Sequence, residues 1–192
     1  MLNLTGLAAQ FEQHMHAVLL NGLKCHYNNA EETEKIIITC AFTAVTADDL
    51  GGAIPGLAVV TTIISCVGAV WVMYGKLCSC LWIKMRDNTL KLLARAALAN
   101  IAGNLASVLL SMAATLLIPG GSIAASAIIT FLVVYLAGLA FLQMVLNLAE
   151  KSNDPYAFSD ISDGEMKRKM KETKFTAEDL EAAKQSFQEN RS

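Results

Sequence analysis

Proline is scarce in this chain: it occurs only three times, at Pro55, Pro119 and Pro155. Each stands at a break between stretches that otherwise read as helix, so the stretches themselves are uninterrupted. Charge is scarce too, at 17 % of residues against 54 % hydrophobic, low and high respectively for a soluble domain. The formal net charge of −2 conceals a segregation. Residues 96–149 contain no Asp, Glu, Lys, Arg or His, and nearly every charge lies before Leu50, between Lys76 and Arg95, or after Ala149. A soluble all-helical protein would spread charge along one face of every helix. A blockwise layout is what a bilayer demands.

Other absences remove whole classes of chemistry. There is no GxxxxGK[ST] phosphate-binding loop, because Gly75-Lys76 is followed by Leu77 and no glycine stands five residues before Gly75. His14-Met15-His16, Cys25-His26 and Cys78-Ser79-Cys80 are soft-ligand clusters without the spacing that closes a tetrahedral zinc site. No metal and no cofactor is expected. No Ser, His and Asp grouping suggests a nucleophile, so the chain reads as non-enzymatic, and no nucleic-acid partner is expected. The first nine residues carry no basic residue and no cleavage pattern follows, so no secretory leader is read there. The five cysteines, Cys25, Cys40, Cys66, Cys78 and Cys80, are odd in number and read as free thiols facing a reducing compartment.

What is present is organised around residues 96–149. Ile118-Pro119-Gly120-Gly121-Ser122 divides that run into two apolar arms. A helix needs about 20 apolar residues to cross a hydrocarbon core of about 30 Å, and both arms meet that length. Pro lacks the N–H a helix needs and Gly tolerates positive φ, so Pro119, Gly120 and Gly121 form the turn of a membrane-inserted helical hairpin. Ile54-Pro55-Gly56 echoes Ile118-Pro119-Gly120. A first hairpin turning at Pro55 and Gly56 is therefore expected, its second arm running over 57–74 with Trp71 and Tyr74 as interface anchors. Its first arm opens with Asn29 and Glu32 as a capping box, and its uncharged part, 36–47, is too short to span unaided.

Between the hairpins, Lys76, Lys84, Arg86, Lys91 and Arg95 face Asp87 alone. Short basic loops stay cytoplasmic, so these residues mark the membrane surface on that side. The expected organisation is all-α: an amphipathic helix over 1–29, a membrane domain over 30–149, and a soluble helical tail over 150–192. The membrane domain divides into a hairpin at 30–75, a basic connector at 76–95 and a hairpin at 96–149. In the tail, Ser162 with Glu165 forms a capping box, and Ile161 with Met166 falls at staple spacing.

Apolar side chains give helices little reason to associate in lipid, so small residues and amides carry the packing argument. Ala99, Gly103, Ser107, Ser111 and Thr115 recur at every fourth position and make one smooth ridge. Asn100 and Asn104 share a helix face, as do Gln143 and Asn147. Folding the hairpin about Gly120 sets Asn100 nearly level with Gln143. These amides are expected to face the bundle interior, as structural glue rather than as a polar path.

Ala53-Ile54-Pro55-Gly56, a long helix ending Met73-Tyr74-Gly75, Ile101-Ala102-Gly103-Asn104, Leu117-Ile118-Pro119-Gly120-Gly121 and Leu136-Ala137-Gly138 together carry a resemblance. They are similar to a bacterial membrane-associated domain that often follows GTPase domains and also occurs in YcjF-like inner-membrane proteins. The resemblance covers about 31–149. That family often has an Asp shortly after the first Pro, where this chain has Leu57-Ala58. The resemblance implies the bacterial inner membrane, with the connector and tail cytoplasmic, and an anchor or interaction role beside a separately encoded GTPase. Self-association is left open. The rival expectation is a pore-former resembling colicin-type channel domains, in which the apolar hairpin hides inside a water-soluble bundle until it inserts.

Overall fold

The computed structural model describes residues 19–49, 58–115, 122–150, 156, 158, 161–173 and 183. All five regular elements among them are α-helices: α1 (Glu32–Asp49), α2 (Ala58–Cys80), α3 (Asp87–Thr115), α4 (Ser122–Ala149) and α5 (Asp163–Glu172). Residues 19–24 are helical as well. The described chain is all-α, as the expected organisation had it.

Local chemistry explains most of the helix ends. Glu32 and Glu34 stand in the first turn of α1, Asp87 in that of α3, and Asp163 and Glu165 in that of α5, each favouring the positive end of the helix dipole. Ser162 caps α5, its hydroxyl accepting from the Glu165 N–H at 3.2 Å. Asn29 behaves differently from the expected cap. Its Nδ2 donates to the Cys80 carbonyl at 3.3 Å, and α1 begins only at Glu32. A tertiary partner thus orients the Asn29 side chain through its donor end, whereas a local cap would use the amide oxygen as acceptor.

The basic connector is a correction to the sequence reading. Helix α2 continues through Lys76 to Cys80 and α3 begins at Asp87, leaving only 81–86 outside helix. Lys76, Lys91 and Arg95 are exposed on helix surfaces, where straight-chain cations are good helix formers, so their clustering breaks nothing.

Helix α4 is the axis of the molecule, touching α1, α2, α3 and α5. Ile37 of α1 meets α4 at Gly138, and Phe42 meets Phe131 with ring centroids 4.9 Å apart. Contacts that climb α1 while descending α4 make the two antiparallel. Asn29, just before α1, joins Cys80 at the end of α2, so α1 and α2 are antiparallel as well. Tyr74 of α2 donates its hydroxyl to the Ala137 carbonyl at 2.9 Å and stacks on Phe141 at 4.4 Å. The buried Tyr74 hydroxyl thus has a partner, as a core of this kind requires.

Among the described residues, one helix is long and apolar enough to cross a membrane, residues 127–149, and 83 % of its apolar window is buried inside the protein. The tail is not a separate appendage. Met166 and Met170 of α5, Phe158 and Ala183 are all buried in the shared core. Helix α5 lies along the first half of α3 and is tied at both ends. Thr89 donates to the Asp163 carboxylate at 2.7 Å, and Asn100 Nδ2 donates to the carbonyls of Met170 at 3.1 Å and Thr173 at 2.8 Å. Matching early residue to early residue and late to late makes α3 and α5 parallel.

Candidate functional site

The turn from α2 to α3 is the most unusual piece of backbone. Trp82 has φ +59°, the only positive value at a non-glycine among the described residues. The Ile83 N–H donates to the Cys78 carbonyl at 2.8 Å, and the Trp82 N–H to the Ser79 carbonyl at 3.4 Å. Those two bonds are a Schellman motif with Trp82 at the position that glycine usually fills. Ile83 and Cys78, the apolar pair that accompanies such a motif, are both buried. A left-handed conformation costs an L-residue about 1–2 kcal/mol. Trp82 is also 74 % exposed. Two separate costs thus fall on one side chain.

Beside it lies an open cavity of about 420 Å³, lined by Tyr27, Asn28, Asn29, Cys80, Leu81, Trp82 and Tyr156. Its walls come from three distant parts of the chain and are laced together. Tyr156 donates its hydroxyl to the His26 carbonyl at 3.1 Å, and its own carbonyl accepts from the Lys84 N–H at 3.3 Å. The Tyr27 and Tyr156 rings meet edge to face, centroids 5.6 Å apart. Cys80 Sγ lies 3.4 Å from the Asn29 carbonyl and returns the bond that Asn29 makes to Cys80.

The thiols here are held neutral. Burial pushes Cys78 up to about 12. Cys80 is raised by burial and then by the Glu32 carboxylate, which places negative charge beside the cavity. A thiol raised in this way is a poor nucleophile and a poor acceptor for an acyl group. No group of His, Cys, Asp and Glu that could hold a metal occurs among the described residues.

The residues singled out from sequence fall in several places. Lys76, Lys84, Arg86, Lys91 and Arg95 are all exposed at the end of the bundle that carries the cavity, and the Lys91 ammonium sits 4.6 Å from the centre of the Trp71 ring. Ala99 and Gly103 are exposed, with nothing within 4 Å of where a Gly103 Cβ would stand. The side chains of Asn104, Ser107, Ser111 and Thr115 lie outside the described residues, as do Pro55, Gly56, Pro119, Gly120 and Gly121. Asn100 is buried, but its amide serves the last carbonyls of α5 rather than Gln143, which is exposed together with Asn147. The docked tail supplies two backbone acceptors in fixed positions, and that displaces the amide pairing drawn from the hairpin register.

Sequence reasoning missed Trp82 and the cavity. No glycine or asparagine marks the turn, and the walls are contributed by residues far apart in the chain. No family model, no curated protein and no solved structure matches this chain.

Proposed function

We propose that this protein is a non-enzymatic, membrane-embedded helical bundle that anchors its charged end and tail at a membrane surface for a protein partner. The observation that supports it is the separation of charge along the bundle. Lys24, Glu31, Glu32, Lys35, Lys76, Lys84, Arg86, Asp87, Lys91, Arg95 and Glu150 are exposed around one end. Toward the other end the exposed residues among those described on α1 to α3 are Thr39, Thr43, Thr46, Gly68, Val72, Ala99 and Gly103, with the charged face of α5, ending in exposed Lys171 and Glu172, reaching down α3 as far as Asn100. The hydroxyls of Thr43 and Thr46 turn back onto the carbonyls of Thr39 and Thr43, which leaves their methyl groups outward. From Arg95 to the end of α3 the helix rises about 30 Å, the thickness of a hydrocarbon core. Endwise insertion puts Trp82 and the basic residues at the interface, where tryptophan and cytoplasmic lysine and arginine concentrate.

The first helix reaches less far into the bilayer than the others, since α1 has 18 residues against 29 in α3 and 28 in α4. The resemblance in 101–104 and 136–138 supports a bacterial inner-membrane location and a GTPase as the partner class. Copurification from mild detergent tests the partner, and repeated recovery of no GTPase counts against it.

A second reading is favoured by one observation. Helix α4 is sheathed by its neighbours. That suits a colicin-like bundle that is water-soluble first and inserts later. One experiment separates the two. An anchor stays in the pellet of carbonate-washed membranes and needs detergent throughout. The insertable bundle is monodisperse in plain buffer and then releases ions from loaded liposomes.

A further inference from the structure

We infer that the cavity at the α2–α3 turn binds a quaternary ammonium group, with Trp82 as its outer wall. Three aromatic side chains, Tyr27, Trp82 and Tyr156, line one space of about 420 Å³, within the size range of small-ligand pockets. A methylated ammonium is too weakly hydrated to compete for hydrogen-bond acceptors and is held by ring faces, with tryptophan the strongest of them. The electrostatics point the same way. Glu32 is near enough to raise the Cys80 thiol, and α2 ends at the cavity wall with its negative dipole end. On the segment that supplies Tyr27 the Lys24 ammonium is paired with Glu31 at 2.7 Å, and Lys84, two residues beyond Trp82, is exposed, where solvent and salt screen its charge.

Trp82 gives the second, independent observation. A large apolar side chain at 74 % exposure, in a backbone conformation that glycine fills more cheaply, is held there against two local preferences. Backbone strain of this sort clusters at ligand clamps. The hydrogen bonds that lace Tyr156 to His26 and Lys84, and Asn29 to Cys80, fix the remaining walls before any ligand arrives. Preorganised walls reduce the ordering cost of binding. The class fits either a free methylated amine such as choline or the head of a choline lipid. The inference stands apart from membrane insertion, because the soluble amine needs no bilayer.

The chain has two tryptophans, Trp71 and Trp82, so Trp71→Phe leaves Trp82 as the sole indole reporter. The full-length variant in a maltoside detergent is titrated with choline and, in parallel, with 3,3-dimethylbutan-1-ol, its uncharged isostere. The expected result is saturable quenching of Trp82 by choline with a dissociation constant of about 1 mM or tighter, and at least tenfold weaker binding of the alcohol. Equal response to the two overturns the cationic class. No saturable response up to about 20 mM choline overturns the site itself.

A calorimetric titration of Trp82→Gly, which keeps the left-handed turn, should show binding weakened about tenfold or more with helix content unchanged. Unchanged affinity in that variant also overturns the proposal. Phosphatidylcholine vesicles against phosphatidylglycerol vesicles then identify the source. Trp82 quenching by the first alone assigns a lipid head, and by neither, with choline still binding, a free amine.

Discussion

Gly138 leaves no room for a side chain between α1 and α4, and replacing it tests the packing of the bundle. A Cβ there would stand 2.7 Å from Ile37 Cγ1, 2.9 Å from Cδ1 and 2.9 Å from Cγ2. The nearest is the internal methylene of a β-branched side chain and the other two are its methyl ends, and Ile37 is itself 1 % exposed, so it has little room to rotate. Alanine in a helix interior is favoured over glycine by about 1 kcal/mol. Overpacking a filled core by a methyl group costs about 1–3 kcal/mol. Gly138→Ala should therefore destabilise the protein by about 1 kcal/mol net. In an Ile37→Ala background the methyl has room, the steric cost vanishes, and the same substitution should stabilise by about 1 kcal/mol. Gly103→Ala is the control, since nothing lies within 4 Å of its added Cβ, and it should stabilise by about 0.5–1 kcal/mol. Unfolding midpoints by circular dichroism in one detergent measure all five proteins: the wild type, the three single variants and the Ile37→Ala, Gly138→Ala double variant. If Gly138→Ala stabilises the wild-type chain as much as Gly103→Ala does, the close crossing of α1 and α4 is wrong.

The remaining predictions concern single polar atoms. Asn100→Ala removes two donors from the last carbonyls of α5 and should cost about 1–3 kcal/mol, felt locally. Hydrogen exchange should accelerate about tenfold or more in α5 while α4 keeps its protection. Tyr74→Phe should cost about 1 kcal/mol, the worth of the bond to the Ala137 carbonyl, with the stack on Phe141 retained. The Cys78 thiol is raised from 9.0 to about 12, so an unfolded chain would hold fewer protons than the folded one across that window. The stability this thiol contributes is present below pH 9.0 and is lost as pH rises toward about 12. Melting temperature should fall with alkaline pH, less steeply in Cys78→Ala, and maleimide should label exposed Cys25 well before Cys78.

Features carried by neighbours in the chain were legible from sequence. The start of α5 follows from Ser162, Glu165 and Met166, and the structure has that cap together with a buried Met166. The helical class and the long apolar helix ending at Ala149 follow from composition. Features made between distant residues were not. Asn100 finds carbonyls on a segment about 70 residues away, and Gly138 finds Ile37 across two intervening helices. The spacing of Ala99 and Gly103 tells which residues share a face, but a period of four carries no information about what that face meets. In the structure both residues are exposed, and nothing described lies within 4 Å of where a Gly103 Cβ would stand. The turn at Trp82 was hidden for another reason: the residue that marks such a turn is glycine, and here tryptophan stands in its place.

The parallel lie of α5 on α3 determines where mechanical load would travel. A pull applied at the C-terminal side of α5 runs first into Asn100, then along α5 to Thr89, so the two anchors and the buried Met166 and Met170 are strained in shear rather than peeled one at a time. The force enters the first turns of α3, on the side of the molecule that carries the charges, and bypasses α1 and α2 altogether. Whatever grips the C-terminal side of α5 thus holds the bundle by its most polar helix and loads the core only through Met166 and Met170, on the flank where α5 meets α3 and α4.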